Sequence, residues 1–419
     1  MTTQALPAAG TPARPADPRG TRNTVVLLVF TAITNLADGI TKIALPVLAT
    51  RVTSSPGAVS LVALTLTLPW LLASLPVGVL VDRADRRRLL WLANGIRLLA
   101  ITGLLRIVAT GDVTLWALAA AGTVLGVAEV IALTSESALV PAIVPRAGRE
   151  RANAWITGVE TAANEFCGPF VGGLLLAAGT GVALGATWVA YLAAALVLLL
   201  LTGRFRARRE PAPDSGPAGA RQFTEGLRYL WRHRLLRTMA LILTVLCASW
   251  GGWLALMPLI AKELMGLSPR EYGVVLSALG IGGLVGALTV GRVNRLLGRR
   301  WAMFADLVST LAMMAVPVLT TSLGAVAAAA FLGGMGGTLW SVNARLVAQN
   351  TVPDAIMGRF SSAARLLSWG AMPLGAGLIG VLAEAFGIRV AFLVFAAAVA
   401  ATVPPFLRVV TAGELGEAV

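Results

Sequence analysis

A small set of ionisable side chains interrupts long apolar stretches of this chain. They are Asp38, Lys42, Arg97, Arg106, Glu129, Glu160, Glu165, Arg345 and Arg365. A charge at bilayer depth costs about 2.5–3.5 kcal/mol on insertion scales, so each needs a partner or a task. The chemistry open to such groups is reversible protonation. Burial favours the neutral carboxyl, and a nearby cation favours the carboxylate. A carboxyl whose surroundings alternate can therefore load a proton on one side of a membrane and drop it on the other. Asp38, Glu129 and Glu165 are the proton-coupling candidates. The other reading of the same residues is a set of fixed ion pairs that only position helices. Asp38 and Lys42, one helical turn apart, form the first such pair. Lys42, Arg97, Arg345 and Arg365 are the ion-pair candidates among the cations. Glu136 and Glu160 lie near the ends of their stretches, where loop arginines would pair with them.

Covalent catalysis is not indicated. The single histidine, His233, has no partners for a metal site or a Ser-His-Asp arrangement. Cys167 and Cys247 both lie in apolar runs and read as small buried thiols. No G-x-x-x-x-G-K-[ST] phosphate loop occurs, so the chain is not expected to pump with ATP. No enzyme activity, metal or other cofactor is expected.

The elements that must hold these charges are membrane helices. Hydrophobic residues make up 57% of the 419 and charged residues 13%; a soluble domain carries about 25% charged residues. A helix needs roughly 20 apolar residues to span a bilayer. Twelve such spans are predicted, near 24–50, 57–81, 89–110, 113–138, 154–177, 183–203, 238–261, 271–291, 301–320, 323–347, 361–384 and 388–408. The domains follow: a disordered tail at 1–23, a six-helix bundle at 24–203, a linker at 204–237, a second six-helix bundle at 238–410, and a tail at 411–419. The first tail lacks the apolar core of a signal peptide. Within the linker, Phe223, Leu227, Leu230, Trp231 and Leu235 recur at helical spacing between arginines. They predict an amphipathic helix that lies on the inner leaflet or packs against the bundle.

The net charge of +14 is carried by clusters between the apolar runs. With the N-terminus placed in the cytoplasm, 25 of the basic residues fall inside and 4 outside. Both termini are thus expected in the cytoplasm. Nucleic acid is not an expected partner, because little soluble surface remains to bind it.

The halves repeat each other. NLADGITKIALPVLA (35–49) matches ASWGGWLALMPLIAKE (248–263), with Gly39 opposite Gly251 and Pro46 opposite Pro258. GVLVDRADRRRLL (78–90) matches GRVNRLLGRRWAM (291–303), and GPFVGG (168–173) matches MPLGAG (372–377). Repeated halves are a recurrent build of secondary transporters, with the substrate site near mid-membrane between them.

The segment from Gly78 through Asp82, Arg83, Arg86 and Arg87 resembles the signature loop G-x-L-x-D-R-x-G-R-R of the major facilitator superfamily. The resemblance implies a conformational latch on the cytoplasmic side, with Gly78 letting another helix approach closely. Asp85 stands where that family has glycine. Gly168, Pro169, Gly172 and Gly173 resemble the superfamily's antiporter motif G-P-x-x-G-G. The run 349–380 resembles the drug:proton antiporter branch of macrolide-efflux and siderophore-exporter type. Together the likeness covers about residues 24–410. It implies an all-α membrane protein with the major facilitator fold, twelve transmembrane helices in two pseudo-symmetric halves.

The expected function is proton-coupled efflux of a drug, antibiotic or other amphipathic small molecule by alternating access. Import or facilitated diffusion of a metabolite, and export of a siderophore or self-made natural product, are the alternatives. A monomer in a bacterial inner membrane is expected, with a small-molecule substrate, protons and the lipid bilayer as partners. Spans seven and ten usually face the central cavity in this superfamily, which makes Trp250, Trp253 and Trp340 the cavity candidates. The membrane arginine of the wider drug-antiporter pattern is missing from the fourth span, and Glu129 stands in that span instead.

Overall fold

The computed structural model describes residues 18–144, 149–203, 205, 217–411 and 413–415. Most of the first tail, of the linker's Pro/Gly stretch and of the last tail lies outside the described residues.

Helix α1 (Pro18–Ala49) makes the first pass. The second pass is split at Ala73 into α2 (Pro56–Leu72) and α3 (Ser74–Arg83). Single helices α4 (Arg86–Thr110) and α5 (Leu115–Ile143) make the third and fourth. The fifth consists of α6 (Arg149–Thr161), a π-helical turn (Ala162–Cys167) and α7 (Gly168–Ala178). Pro169 explains that turn, because its ring and missing N–H disturb the backbone ladder of the preceding residues. Helix α8 (Thr180–Leu199) completes the first half, and α9 (Pro217–Arg232) lies in the linker.

The second half opens with α10 (Arg234–Leu259), followed by a π-helical turn (Ile260–Leu264). Passes eight and nine run helically through α11 (Pro269–Leu319), bent back at Gly298, where φ is 79°. That left-handed value favours glycine. Helix α12 (Leu323–Thr351) is the tenth pass, α13 (Asp354–Trp369) and α14 (Ala371–Phe386) the eleventh, and α15 (Ile388–Ala401) with α16 (Val403–Val409) the twelfth.

Nine helices among the described residues are long and apolar enough to cross a membrane, one of them the doubled α11. Counted with the interrupted second and fifth passes, this is consistent with the twelve expected crossings. The loop expected at 292–300 is helical apart from Gly298. Helix α9 takes the packed option: Leu230 is fully buried, Glu225 pairs with Arg359, and the Tyr229 hydroxyl donates to Thr351 O at 3.1 Å.

The core is not uniform along the molecule. At the end away from the termini, one apolar cluster joins both halves, from Leu45, Leu48 and Leu66 to Trp253, Leu276 and Phe392. At the end that carries the termini there are two separate clusters. One holds Leu27, Phe30, Leu90 and Leu139 of the first half. The other holds Leu236, Met303, Trp340 and Phe406 of the second. Cross-half packing follows suit: α2 meets α14 and α10, and α7 meets α11. The inner segments α3, α6 and α13 pack chiefly within their own halves. The two bundles therefore close at the far end and splay apart toward the termini.

Two polar links seal the closed end. Glu384 Oε2 on α14 accepts from the Ser55 hydroxyl and the Gly57 N–H, both at 3.0 Å. Lys262 Nζ donates to Thr50 O at 2.6 Å, just past the end of α1. The carboxylate thus meets a helix N-terminus and the ammonium a helix C-terminus, which suits both helix dipoles. Cysteines at 55 and 384 should be joined readily by a short thiol cross-linker, and the joined protein should stop transporting. Failure to cross-link, measured by gel shift in membranes, would contradict closure at this end.

Candidate functional site

Helix α1 presents Thr31, Asn35, Asp38 and Lys42 at spacings of four, three and four residues, which places them on one face. Helix α5 presents Glu129 and Glu136 two turns apart. Arg97 comes from α4, Tyr191 from α8 and Asn164 from the π-helical turn. Glycines let these helices close up. A Cβ at Gly39 would lie 2.7 Å from Asn164 O, and one at Gly168 2.8 Å from Gly39 Cα.

The expected Asp38–Lys42 pair does not form. Asp38 is buried and pairs with Arg97, itself 1% exposed. The Tyr191 hydroxyl donates to the other Asp38 oxygen at 2.6 Å, and its ring lies under the guanidinium, 5.4 Å from centroid to Cζ. Lys42 pairs with Glu129 at 2.9 Å and donates to Asn164 Oδ1 at 3.2 Å. Asn164 Nδ2 in turn donates to Asn35 Oδ1 at 3.2 Å. Tertiary placement overrode sequence spacing: an arginine and a tyrosine from other helices satisfy both Asp38 oxygens, which one lysine could not.

Asp38, Thr41, Lys42, Leu66, Leu125, Glu129 and Tyr191 line a small pocket. Drug-sized ligands need roughly 300–1,000 Å³, far more than this chamber offers, so it suits water and protons better than a drug. Lys42 is the most open of the four charged groups, its side chain 29% exposed.

Other candidates fare differently. Among the described residues no loop arginine pairs with Glu136. It is fully buried and accepts a hydrogen bond from the Thr31 hydroxyl. Glu160 on α6 reaches Arg365 on α13 at 3.5 Å, a polar link between the halves. Arg345 is exposed and joins no ion pair among the described residues. The side chains of Asp82 and Glu165 lie outside the described ones. Trp253 and Trp340 are fully buried in apolar clusters, which removes them from the cavity wall. Trp250 is half-buried and packs against Gly337.

The expected close helix contact at Gly78 is absent: nothing lies within 4 Å of a Cβ built there, or at its repeat mate Gly291. Both glycines face the splayed end. Asp85, which replaces the usual glycine, caps α4 by accepting the Arg87 N–H at 3.0 Å. Arg83 is exposed, and Arg86 and Arg87 are half-buried. In the motif 168–173, Gly168 and Gly172 pack on α1, while Gly173 packs across the halves against Gly273 and Ser277 of α11. Thr31, Tyr191 and Asp306 were missed from the sequence. The first two are neutral. Asp306 is buried in the ninth pass and accepts from Thr310 at 3.3 Å; a charge scan of that span could have found it.

The family profile of transmembrane secretion effectors matches residues 19–412. The chain belongs to this family of the major facilitator superfamily. It is a multi-pass membrane transporter. Among similar proteins, the multidrug efflux pump Tap of Mycolicibacterium fortuitum is 29% identical over 389 residues, covering 89% of this chain and 92% of Tap. The enterobactin exporter EntS of Escherichia coli O1:K1 / APEC is 29% identical over 370 residues, covering 85% of this chain and 84% of EntS. Among solved structures, an inward-facing bacterial homologue of the iron transporter ferroportin superposes with a TM-score of 0.68 at 18% identity, over 93% of this chain and 98% of that one. A bacterial homologue of the lysosomal transporter Spinster gives 0.69 at 12% identity, over 94% and 97%. These likenesses establish the fold.

Breaking a buried ion pair by removing one partner costs about 3–5 kcal/mol. Arg97→Gln in this transporter should lower unfolding stability by about that much, since it strands Asp38. Adding Asp38→Asn should recover most of the loss. A double-mutant cycle by denaturant unfolding in detergent checks this, and additive losses would show that the two residues are not coupled.

Proposed function

We propose that the protein exports an amphipathic small molecule in exchange for protons, by alternating access between its two six-helix halves. The carrying observation is the pair of buried, ion-paired carboxylates, Asp38 and Glu129, on a small chamber where the sealed and splayed parts of the bundle meet. Protonating either carboxylate would release its cation, and a released cation in a low-dielectric interior forces rearrangement. That is a direct way to link proton uptake to a change of state. Glu165 is the third candidate carrier.

The arginine bias supports cytoplasmic termini in a bacterial inner membrane. On that orientation the splayed end faces the cytoplasm, ready to receive cargo made or accumulated inside. Gly78, Asp82, Arg83, Arg86 and Arg87 then form a latch that engages when this end closes. The uncovered face at Gly78 fits a latch that is open in this conformation. The protein works as a monomer, with halves at 24–203 and 238–410 joined by the linker at 204–237. Arg345 and Arg365, exposed on passes ten and eleven, are the groups best placed to meet cargo, with the half-buried Trp250 a further candidate on pass seven.

The relative named a multidrug efflux pump supports a drug or antibiotic as cargo. The relative named an enterobactin exporter supports a siderophore or self-made natural product as a second reading. The test is transport by purified protein in liposomes with an imposed pH gradient. The intact protein should accumulate cargo against its gradient. Asp38→Asn and Glu129→Gln proteins should still bind cargo but lose the proton-driven component. Unchanged coupling in both variants would remove these residues from the proton route.

A further inference from the structure

Arg97 has one carboxylate in contact and buried N–H groups to spare. It holds Asp38 through Nη2, while its Nε and Nη1 are buried without a hydrogen-bond partner. Glu136 is 1% exposed. Its Oε2 accepts from Thr31, and its Oε1 is buried without a partner. Among the described residues no cation contacts it. Among the described residues, the other charged or titratable groups around the two carboxylates are Lys42 on α1, Glu129 on α5, Glu160 on α6 and Tyr191 on α8. Lys42 is engaged with Glu129, and Glu160 with Arg365. Among the described residues Arg97, with its unpartnered N–H groups, is thus the cation that remains for Glu136.

A buried carboxylate without a cation is so costly that such a group takes a proton instead. We infer that Asp38 and Glu136 share Arg97 and a single proton: here Arg97 sits on Asp38 and Glu136 is the neutral acid, and when Asp38 is protonated the guanidinium passes to Glu136, which releases its proton. The exchange balances. A proton arrives at an Asp38 carboxylate oxygen, and another leaves a Glu136 carboxyl oxygen. One cation, one anion and one neutral acid are present before and after, so the interior never holds an unpaired charge at either end point. The Tyr191 and Thr31 hydroxyls donate to their carboxyl groups in both forms. Thr31 lies seven residues from Asp38 on α1, so Glu136 is held roughly 10 Å deeper toward the termini. A proton taken up at the chamber therefore reappears nearer the splayed end. Glu136 becomes a second proton carrier, a role the sequence did not suggest.

This step rests on the proton-exchange reading for its use in transport, but the protonation pattern stands apart and is read separately. The measurement is infrared difference spectroscopy of the full-length protein in bilayers. Buried carboxylic acids are followed by their deuterium-sensitive C=O band. The parent is Asp306→Asn, which silences another buried carboxyl. Glu136→Gln should lose one acid band. Asp38→Asn should lose the same band, because the freed arginine draws Glu136 into its carboxylate form. Arg97→Gln should keep the band and add a second one from Asp38. Absence of a Glu136 band in the parent, or its survival in Asp38→Asn, would overturn the inference. If Arg97→Gln does not fold, the other two variants still decide it. Loss of proton-driven flux in the intact protein with the band pattern upheld would sink the exchange reading and leave the shared arginine standing. The reverse outcome would do the opposite.

Discussion

A charge carried into the interior of a membrane protein must be matched there, and the arrangement of the first half follows from that requirement. The penalty for an ion in a low-dielectric medium is several kcal/mol even after relaxation. Two cations and two carboxylates, Lys42, Arg97, Asp38 and Glu129, meet it by pairing across three helices. The pairing works only if α1, α4 and α5 approach closely, with α7 and the turn before it behind them. Gly39 and Gly168 permit this by removing side chains from the contact. The polar network and the small-residue packing are therefore one feature: the charges hold the helices together, and the glycines let the charges meet.

A second constraint is that irregular backbone in a membrane must be enclosed by protein or face water. The breaks at Ala73, Ala162–Cys167, Ile260–Leu264 and Gly370 fall in passes two, five, seven and eleven. On either side of these breaks the segments behave differently. The outer segments α2, α7 and α14 pack across the halves, and the inner segments α3, α6 and α13 stay chiefly with their own bundle. One joint core at one end and two cores at the other give the bundle a place to hinge. The glycine motif 168–173 lies on the sealed side, where Gly173 meets Gly273, and not on the splayed side.

The number of passes and their pairing into halves were legible in the sequence because hydrophobic length is local and the repeat is linear. The tightness of the turn between passes eight and nine, confined to Gly298, was not, because charges between two apolar runs read as a longer loop. The intramembrane charges were legible as unusual, since each interrupts an apolar run. Their partners were not. Asp38 and Lys42 are neighbours along α1, but Arg97 is 59 residues from Asp38 and Tyr191 is 153. Trp253 and Trp340 read as cavity groups by their span numbers, yet they sit on the buried faces of their helices. Glu136 read as a loop partner by its distance from the span end, but α5 runs on to Ile143 and keeps it inside.

From one dimension alone it was settled that this is a multi-pass helical membrane protein of two repeated halves, with a few charges that had to be reconciled with the bilayer. Hydropathy, glycine spacing and repeat offset are properties of the chain in one dimension, and each passes directly into helix length and helix contact. The three-dimensional packing settles which carboxylate meets which cation, which end of the bundle is sealed, and that Glu136 is buried against Thr31. Those outcomes depend on side chains that converge from helices remote in sequence. In a low-dielectric interior the winning partner is the one that satisfies the most donors and acceptors at once, and that is a question of three-dimensional placement that spacing along one helix cannot answer.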